Sequence, residues 1–390
     1  METELPIAWL QLRSQKPQTF MAIVAITFIT VLLFMQIGSR SAFLDALLEM
    51  PRKLKGNLFL FHASTVTALR PIQFSQRRLY QVPAFAEVES IMPLYMNGTQ
   101  SPKPTGKSGF LTRILLIGFP VTHNPFDIDE IDDKLSLLRE GGVILLDERS
   151  RPEFKPIIQE VAGRGYSNIS VRTGARMAKV SIKGLFPLGV NSVNYSHMLT
   201  SDATFMDIFG TKRKDIHIGV IHLKPGADQD RVQKLLSEYL PSDVVVRQKH
   251  EVLAKEKDLF EFETPLGMLF RVAMGTSILV GIIVVYQILF QITSKYLRDY
   301  STLKALGFSH GMLVSIVITE AITLVVPGYA LGLAISFYLY DWMTELIAIQ
   351  YIMKISTGIA VFAMVTLISL ISALLAIRKL READPADLFG

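Results

Sequence analysis

Two apolar runs joined by a short basic stretch constrain this chain more than any other feature of its sequence. Val272 to Ile292 has no charged residue and is close to the ~20 residues that a helix needs to cross a bilayer. Met312 to Tyr340 is at least as long, with Glu320 as its one charged residue. Residues 295–307 between them are too charged for the bilayer core. The pattern predicts two transmembrane helices joined by a basic helix that can receive force at the membrane face.

Two further runs, Thr19 to Ile37 and Gly358 to Ile377, are also long enough to span. A cleaved signal peptide is the alternative for the first, but its apolar core is usually only ~7–15 residues long, and residues 38–41 fit a cleavage site poorly. Half of the 390 residues are hydrophobic and the mean hydropathy is +0.35, too apolar for an ordinary soluble protein. The sequence therefore predicts a polytopic α-helical membrane protein with four transmembrane helices.

Basic residues are distributed unevenly around these runs. Those on one side are Arg13, Lys16, Lys295, Arg298, Lys304, Arg378, Lys379 and Arg381. On the other side, the short loop between the third and fourth runs holds Lys354 alone. Because short cytoplasmic loops are rich in Lys and Arg, both termini are predicted in the cytoplasm. Since much of the +5 net charge follows the runs, it does not indicate nucleic acid.

The long segment 39–270 has the composition of a globular domain outside the cytoplasm. Arg40, Arg52, Lys53 and Lys55 oppose this orientation, but they begin a long translocated domain, where the charge rule is weak. The predicted strands are 58–61, 88–95, 114–119, 143–146, 178–185, 216–223 and 244–246; helices are predicted at 129–140 and before Pro241, and a polar loop at 97–109. This order favours small α+β units with a long insertion between the parts near the two membrane entries.

The chain thus divides into residues 1–38, 39–270 and 271–390. The first part holds an interfacial helix, with Leu5, Ala8, Trp9 and Leu12 on one face, and the first transmembrane helix. A frayed terminus is the alternative for that interfacial helix. The last part holds the other three transmembrane helices, the coupling helix 295–307 and a cytoplasmic tail.

Patterns that resemble catalytic or metal sites lack the context that the chemistry needs. Ser101–Ser108 ends like a P-loop, but it contains two prolines, which lack the N–H that would bind phosphate. Gly307–Gly311 matches a nucleophile elbow, but a helix rather than a strand precedes it. The acids of 127–133 lack the EF-hand glycine, and His217 and His222 face opposite sides of one strand. There is no cysteine. We expect no catalytic, cofactor-binding or metal-binding residue on this chain.

The connector is the first candidate functional site. Its candidate residues are Tyr296, Tyr300, Thr302, Leu303, Lys304, Leu306 and Gly307. Tyrosines and leucines on one face of a stiff helix between two membrane helices favour a surface on which another protein docks. A passive interfacial helix is the alternative.

Glu320 is the centre of the second candidate site, inside the membrane. Ionisable groups at that depth are rare and usually face a bundle interior or water. Tyr286 and Gln287 lie at similar depth on the preceding run, so Glu320 is predicted to face them or a second copy of the chain rather than lipid. Pro327 with Gly328 predicts a kink and Gly332 predicts close packing. The alternative is that membrane helices simply tolerate both residue types.

These features together resemble the MacB, FtsX and LolC/LolE permeases, the type VII ABC superfamily. One transmembrane helix, a large outer domain and three further helices are similar to that family. Residues 300–309 followed by Glu320 resemble its coupling-helix signature, and residues 384–388 its C-terminal tail. Short motifs at 8–12, 34–38, 77–80 and 285–289 look like the DevC branch of the family.

The resemblance implies a homodimeric permease of the bacterial inner membrane that seats on a separate DevA-like ABC ATPase dimer, which would hold ATP and Mg. It implies a porter-like periplasmic part with an inserted second lobe, a DevB-like membrane-fusion protein and a TolC-like outer-membrane channel. The implied function is export of a lipid-like or amphiphilic substrate, a glycolipid in the DevC branch. The alternative is an FtsX-like regulator that transmits force to a periplasmic cell-wall hydrolase.

Overall fold

The computed structural model describes residues 4–102, 111–174, 176–191, 194–211, 214–296 and 310–382. The chain forms two compact units. We call residues up to 41, 265–343 and from 351 onward the helical unit, and residues 42–264 with 344–350 the strand-rich unit. The predicted domain limits after residues 38 and 270 stay predictions.

Four of the described helices are long and apolar enough to cross a membrane. The helices are α1 Glu4–Ser14, α2 Lys16–Lys53, α3 Gln76–Leu79, α4 Asp129–Asp132, α5 Lys155–Arg164, α6 Asp202–Phe209, α7 Gln229–Tyr239, α8 Lys249–Asp258, α9 Pro265–Lys295, α10 His310–Ile347 and α11 Ile355–Glu382. The four long apolar ones are α2, α9, α10 and α11. They coincide with the four apolar runs, so the prediction of four transmembrane helices is confirmed.

Helices α2 and α10 of the helical unit pack in parallel along a row of small residues. Gly328 of α10 lies against Ile26 of α2, and Gly332 lies against Thr30. The contacts advance by four residues on both helices in the same direction, so the two helices run parallel. Small residues of this kind let two membrane helices approach closely, which dispersion forces then stabilise.

Helices α9 and α11 form the second pair of the helical unit. The Ser372 hydroxyl of α11 donates to the Ile282 carbonyl of α9 at 3.0 Å. Gly281 of α9 lies against both Ile368 of α11 and Ile29 of α2, which joins the two pairs. Many large apolar side chains on these helices stay exposed, as expected for helices whose outer faces meet lipid.

A sheet of nine strands organises the strand-rich unit. The described strands are β1 Leu58–His62, β2 Phe74–Ser75, β3 Val88–Pro102, β4 Leu111–Phe119, β5 Val143–Asp147, β6 Ser167–Thr173, β7 Arg176–Phe186, β8 Ser196–Ser201, β9 Asp215–Ile216, β10 Ile218–Leu223 and β11 Val244–Gln248. The order in the large sheet is β11-β1-β10-β3-β4-β8-β5-β7-β6, and β2 pairs separately with β9. Strand β3 is long enough to belong to both halves of the sheet.

The two halves of this sheet correspond to two parts of the chain. Strands β11, β1, β10 and the first half of β3 pair antiparallel, each with the next in this order, and helices α7 and α8 pack on β11; we call this the base part. Strands β4 to β8 form the inserted lobe, because their residues fall between the two chain segments that build the base part. A pairing between Gln100 of β3 and Arg172 of β6 closes the lobe into a ring of six strands. The predicted α+β domain with an inserted lobe is confirmed.

Three local predictions are wrong. The predicted strand 216–223 is divided between β9 and β10, which belong to different sheets, and His217 lies between them rather than on one strand with His222. The predicted helix 129–140 is only α4 followed by turns and one 3-10 turn, Leu137–Arg139. Part of the predicted loop 97–109 is strand: β3 continues to Pro102, which pairs with Leu111 of β4. Asn97 and Gly98, which look like a turn, are held extended by pairing with β4. Residues 103–110, most of the P-loop-like pattern, lie outside the described residues.

Candidate functional site

The predicted docking connector falls in the gap between α9 and α10. Tyr296, directly after α9, is the one candidate residue of this connector that the structure describes. The others lie outside the described residues: Tyr300, Thr302, Leu303, Lys304, Leu306 and Gly307. Most of the elbow-like pattern 307–311 lies there as well. The docking role of these residues stays a prediction.

Tyr296 is attached to the N-terminal helix α1. Its hydroxyl lies 2.5 Å from the Ser14 Oγ and 3.2 Å from the Gln11 carbonyl oxygen. Leu12 of the same helix is buried, whereas Trp9 is exposed. The start of the connector is therefore held by a helix whose contacting residues are 282 and 285 residues away in sequence. Sequence patterns carried no signal for this contact, because the contacted groups are a backbone carbonyl and a common serine.

Glu320 lies in the interior of the helical unit. It is fully buried, on a face of α10 that also buries Val317, Leu324 and Gly328. Neither carboxylate oxygen has a hydrogen-bond partner among the residues that the structure describes. The spacing of three to four residues explains the burial, because such residues share one helix face.

The residues predicted to face Glu320 are not joined to it by a hydrogen bond in the described part of the chain. Gln287 is exposed, on the outer face of α9. Tyr286 is half-buried and stacks on Phe290 of its own helix, with ring centroids 5.9 Å apart. The prediction of equal depth stays a prediction, and Gln287 lies on the exposed side of its helix. Whether a second copy of the chain faces Glu320 stays a prediction.

A small cavity lies where the four long helices meet. It has a volume of about 10 Å³, room for about one water, and its lining includes Ala25 of α2, Leu289 of α9, Ala321 of α10 and Ser369 of α11. The Ser369 hydroxyl has no partner among the described residues. Glu320 and Ser369 are thus buried polar groups of one bundle that lack a hydrogen-bond partner within the described part of the chain.

Pro327, Gly328 and Gly332 lie in the middle of α10, which continues through Pro327. The Thr27 hydroxyl of α2 donates to the Gly328 carbonyl at 3.2 Å, across the contact with α10. Gly332 supplies the close approach to Thr30 that its small size predicts. The kink at Pro327 stays a prediction.

A buried carboxylate in the strand-rich unit ties α8 to the loop that follows β1. Glu256 of α8 accepts hydrogen bonds from the Ala68 N–H at 2.6 Å and from the Thr67 hydroxyl at 2.7 Å. Burial raises the pKa of Glu256, and these two hydrogen bonds oppose that rise. Along the chain, one turn of π-helix, Leu259–Glu263, leads from α8 to α9. Sequence reasoning missed this link, because the partners are 188 residues apart.

No group of three or more potential metal-ligating side chains occurs within the described ranges. The described part of the helical unit offers a close helix contact and a buried acid. Four long apolar helices with a large α+β domain between the first and second are the architecture of a membrane permease subunit.

Residues 271–385 match the family model described as FtsX-like permease C-terminal. This segment contains α9, the connector, α10 and α11. Residues 271–385 therefore form an FtsX-like permease C-terminal domain, and the resemblance of the motifs to the MacB/FtsX superfamily of ABC permeases is confirmed. The four long apolar helices and this match support a membrane protein.

Three solved structures are similar to parts of the chain. The periplasmic region of MacB from Actinobacillus actinomycetemcomitans is 13% identical, with 54% of this chain and 95% of that chain covered and a TM-score of 0.34. The extracellular domain of the noncanonic ABC-type transporter YknZ from Gram-positive bacteria is 14% identical, with 50% and 99% covered and a TM-score of 0.30. A domain of a putative permease protein from Porphyromonas gingivalis is 16% identical, with 49% and 87% covered and a TM-score of 0.30. Similarities this distant carry no argument about function. No curated protein matches the chain at a significant level.

Proposed function

We propose that this chain is the transmembrane permease subunit of a tripartite ABC efflux system in the bacterial inner membrane. Two copies form a homodimer, with both termini in the cytoplasm. A separate DevA-like ATPase dimer binds ATP and Mg, and this chain holds no cofactor of its own. A DevB-like membrane-fusion protein and a TolC-like channel complete the path, and the substrate is lipid-like or amphiphilic, a glycolipid in the DevC branch.

The observation that carries this proposal is the match of residues 271–385 to an FtsX-like permease C-terminal domain. The matched segment includes the connector and both helices that flank it. Force applied to the connector tilts α9 and α10, and α9 leads back along the chain to α8. The substrate is then expelled from the outer leaflet or the periplasm without passing between the helices of the bundle.

The test replaces both connector leucines, Leu303→Asp with Leu306→Asp, in the full chain reconstituted with the ATPase that co-purifies with it. Two buried charges at a docking surface should weaken ATPase binding and reduce permease-dependent ATP hydrolysis at least tenfold. The matched control is Leu303→Met with Leu306→Met, which keeps apolar volume and should leave the rate unchanged. Unchanged ATP hydrolysis and export in the aspartate variant would refute the docking role.

Co-purification separates export from force transmission without export. A membrane-fusion protein in the complex supports export. A peptidoglycan hydrolase in its place, with no exported lipid, would overturn the efflux proposal in favour of an FtsX-like regulator. ATP hydrolysis by the purified chain alone would contradict the assignment of the ATPase to another subunit.

A further inference from the structure

The strand-rich unit contains an open cleft of about 370 Å³ at the junction of the base part and the inserted lobe. Ligand sites for small molecules usually have volumes of ~300–1,000 Å³, so this cleft is large enough for one. Its walls come from the loop after β1, the middle of β3, the start of β4 and the segments before β8 and β10. The cleft lies wholly within one compact unit.

The polar side chains that line the cleft are cationic or neutral, and most of them can donate hydrogen bonds. Arg70 and Arg113 are exposed cations at the cleft, and Asn194 and His217 are almost fully buried in its wall. None of the described lining residues is acidic. Arginine binds phosphate and carboxylate groups through two parallel hydrogen bonds, so two arginines without competing acids favour an anion.

The two buried residues each offer a further donor. The His217 Nδ1 accepts a hydrogen bond from the Met96 N–H at 3.0 Å, which places the proton of the neutral ring on Nε2. The Asn194 Nδ2 has no hydrogen-bond partner among the described residues, although this side chain is 97% buried. A buried donor left without a partner costs free energy, which a bound acceptor can restore.

The cleft is held in shape by contacts outside it. Glu256 fixes the loop that carries Arg70, through the two hydrogen bonds to residues 67 and 68. Asp147 accepts hydrogen bonds from the Leu188 and Gly189 N–H groups at 3.2 and 2.7 Å, which fixes the start of the segment that leads to Asn194. Gly98 of β3 pairs with Leu115 of β4 in the lining. A Cβ at Gly98 would have no other atom within 4 Å. The missing side chain at Gly98 therefore contributes to the open space.

Apolar residues complete the wall, among them Leu69, Met96 and Leu115. A free inorganic anion has no apolar surface to bury against these residues. The carbon atoms next to the headgroup of an amphiphile can bury apolar area there, which stabilises binding.

We propose that this cleft binds the anionic, phosphate- or carboxylate-bearing headgroup of an amphiphile. Arg70 and Arg113 bind the charge, and His217 and Asn194 donate to the headgroup oxygens. The inference rests on the proposed export of an amphiphile for its biological meaning, but the binding itself needs neither ATP nor a partner protein.

The test measures binding to the full chain in phosphatidylcholine nanodiscs by isothermal titration calorimetry, with empty nanodiscs as the blank. The probes are dihexanoyl phosphatidic acid, dihexanoyl phosphatidylcholine and inorganic phosphate. Phosphatidic acid should bind at least tenfold more tightly than the other two. Arg70→Gln and Arg113→Gln should each weaken it at least tenfold, because a charge-assisted hydrogen bond is lost. Arg139→Gln, an exposed arginine away from the cleft, is the control and should change nothing.

The outcomes separate the possible sources of the signal. Saturable binding that both cleft variants weaken and the control does not supports the proposal. Equal affinity for inorganic phosphate and phosphatidic acid would overturn the amphiphile, and an equal loss in Arg139→Gln would overturn the site. The binding assay contains no ATPase, so its result does not depend on ATPase coupling. Specific binding together with failed ATPase coupling would refute the proposed efflux function and leave this inference standing. Intact ATPase coupling without specific binding would refute this inference and leave the proposed function standing.

Discussion

Gly332→Ala is expected to destabilise the helical unit, because α2 and α10 leave no room for a methyl group there. A Cβ at Gly332 would lie 2.5 Å from the Thr30 Cβ and 3.1 Å from the Thr27 carbonyl oxygen. Carbon atoms in ordinary contact are ~3.5–4.0 Å apart, so the helices must separate by roughly 1 Å. The second neighbour is backbone and cannot rotate away. Overpacking of this kind costs about 1–3 kcal/mol of unfolding free energy.

The assay is unfolding of the full chain from mild detergent by added SDS, followed by tryptophan fluorescence. Trp9 and Trp342, the two tryptophans of the chain, both belong to the helical unit. Gly275→Ala is the matched control, because it is also a glycine of a long apolar helix and a Cβ there would meet nothing within 4 Å. The control should be as stable as the wild type or up to about 1 kcal/mol more stable, because alanine favours a helix more than glycine does.

A compensating change tests whether the loss comes from this contact. Adding Thr30→Gly to Gly332→Ala removes the atom nearest to the new methyl, and it should recover part of the lost stability. If Gly332→Ala proves as stable as Gly275→Ala, the close packing of α2 on α10 is refuted. If both alanine variants lose stability equally, glycine in an apolar helix matters for a reason other than packing.

Four further changes follow from the same kind of reasoning. Tyr296→Phe should lose about 1 kcal/mol of the attachment of α1, seen as faster amide hydrogen exchange in residues 4–14. Glu256→Ala should leave two donors unsatisfied and lower the opening free energy of residues 66–72 by about 1–3 kcal/mol, measured in the same way. Burial lowers the pKa of His217 from about 6.5 to about 4, so only the unfolded state binds this proton between those values. Stability should therefore fall by up to about 3 kcal/mol as pH falls from 6.5 to 4, and His217→Asn should remove that part of the loss in exchange rates of β3 and β10. Glu320→Gln should preserve or raise stability in the SDS assay, because it removes a buried carboxylate without a partner among the described residues.

Each of these expectations has a contradicting result. Unchanged exchange in Tyr296→Phe or Glu256→Ala would show that the contact contributes nothing to local stability. Identical pH profiles for the wild type and His217→Asn would remove the histidine as the cause. A large loss of stability in Glu320→Gln would show that the carboxylate has a partner in the assembled protein.

The length of an apolar run and the alternation of apolar and polar residues predict an element well where its local sequence determines its structure. The four long helices follow from apolar runs that match the bilayer, and β1, β5, β10 and β11 follow from short apolar runs bounded by turn residues. The prediction of a helix at 129–140 was wrong, because the α-helix ends at Asp132. Strand β3 was cut short, because the pairing with β4 that extends it is not visible in residues 97–102.

Contacts between distant segments account for the parts of the site that patterns did not predict. Depth along a helix placed Glu320 and Gln287 at one level, but which way a side chain points depends on how neighbouring helices pack. Asn194 and His217 share a cleft because strands β8 and β10 belong to a sheet whose order departs from sequence order. The candidate connector could be named from charge and position alone, because a loop between two membrane helices needs no tertiary contact to be recognised.

The link through Glu256 connects the cleft to the helix that precedes α9. A buried carboxylate is often less stabilising than an apolar side chain of similar volume would be. Its hydrogen bonds, however, fix the position and the orientation of the groups that donate them. Since Glu256 holds residues 67 and 68, a displacement of α8 either carries the Arg70 loop with it or breaks two hydrogen bonds. The geometry of the cleft therefore depends on the position of α8. By thermodynamic reciprocity, a headgroup bound by Arg70 would also bias the position of α8.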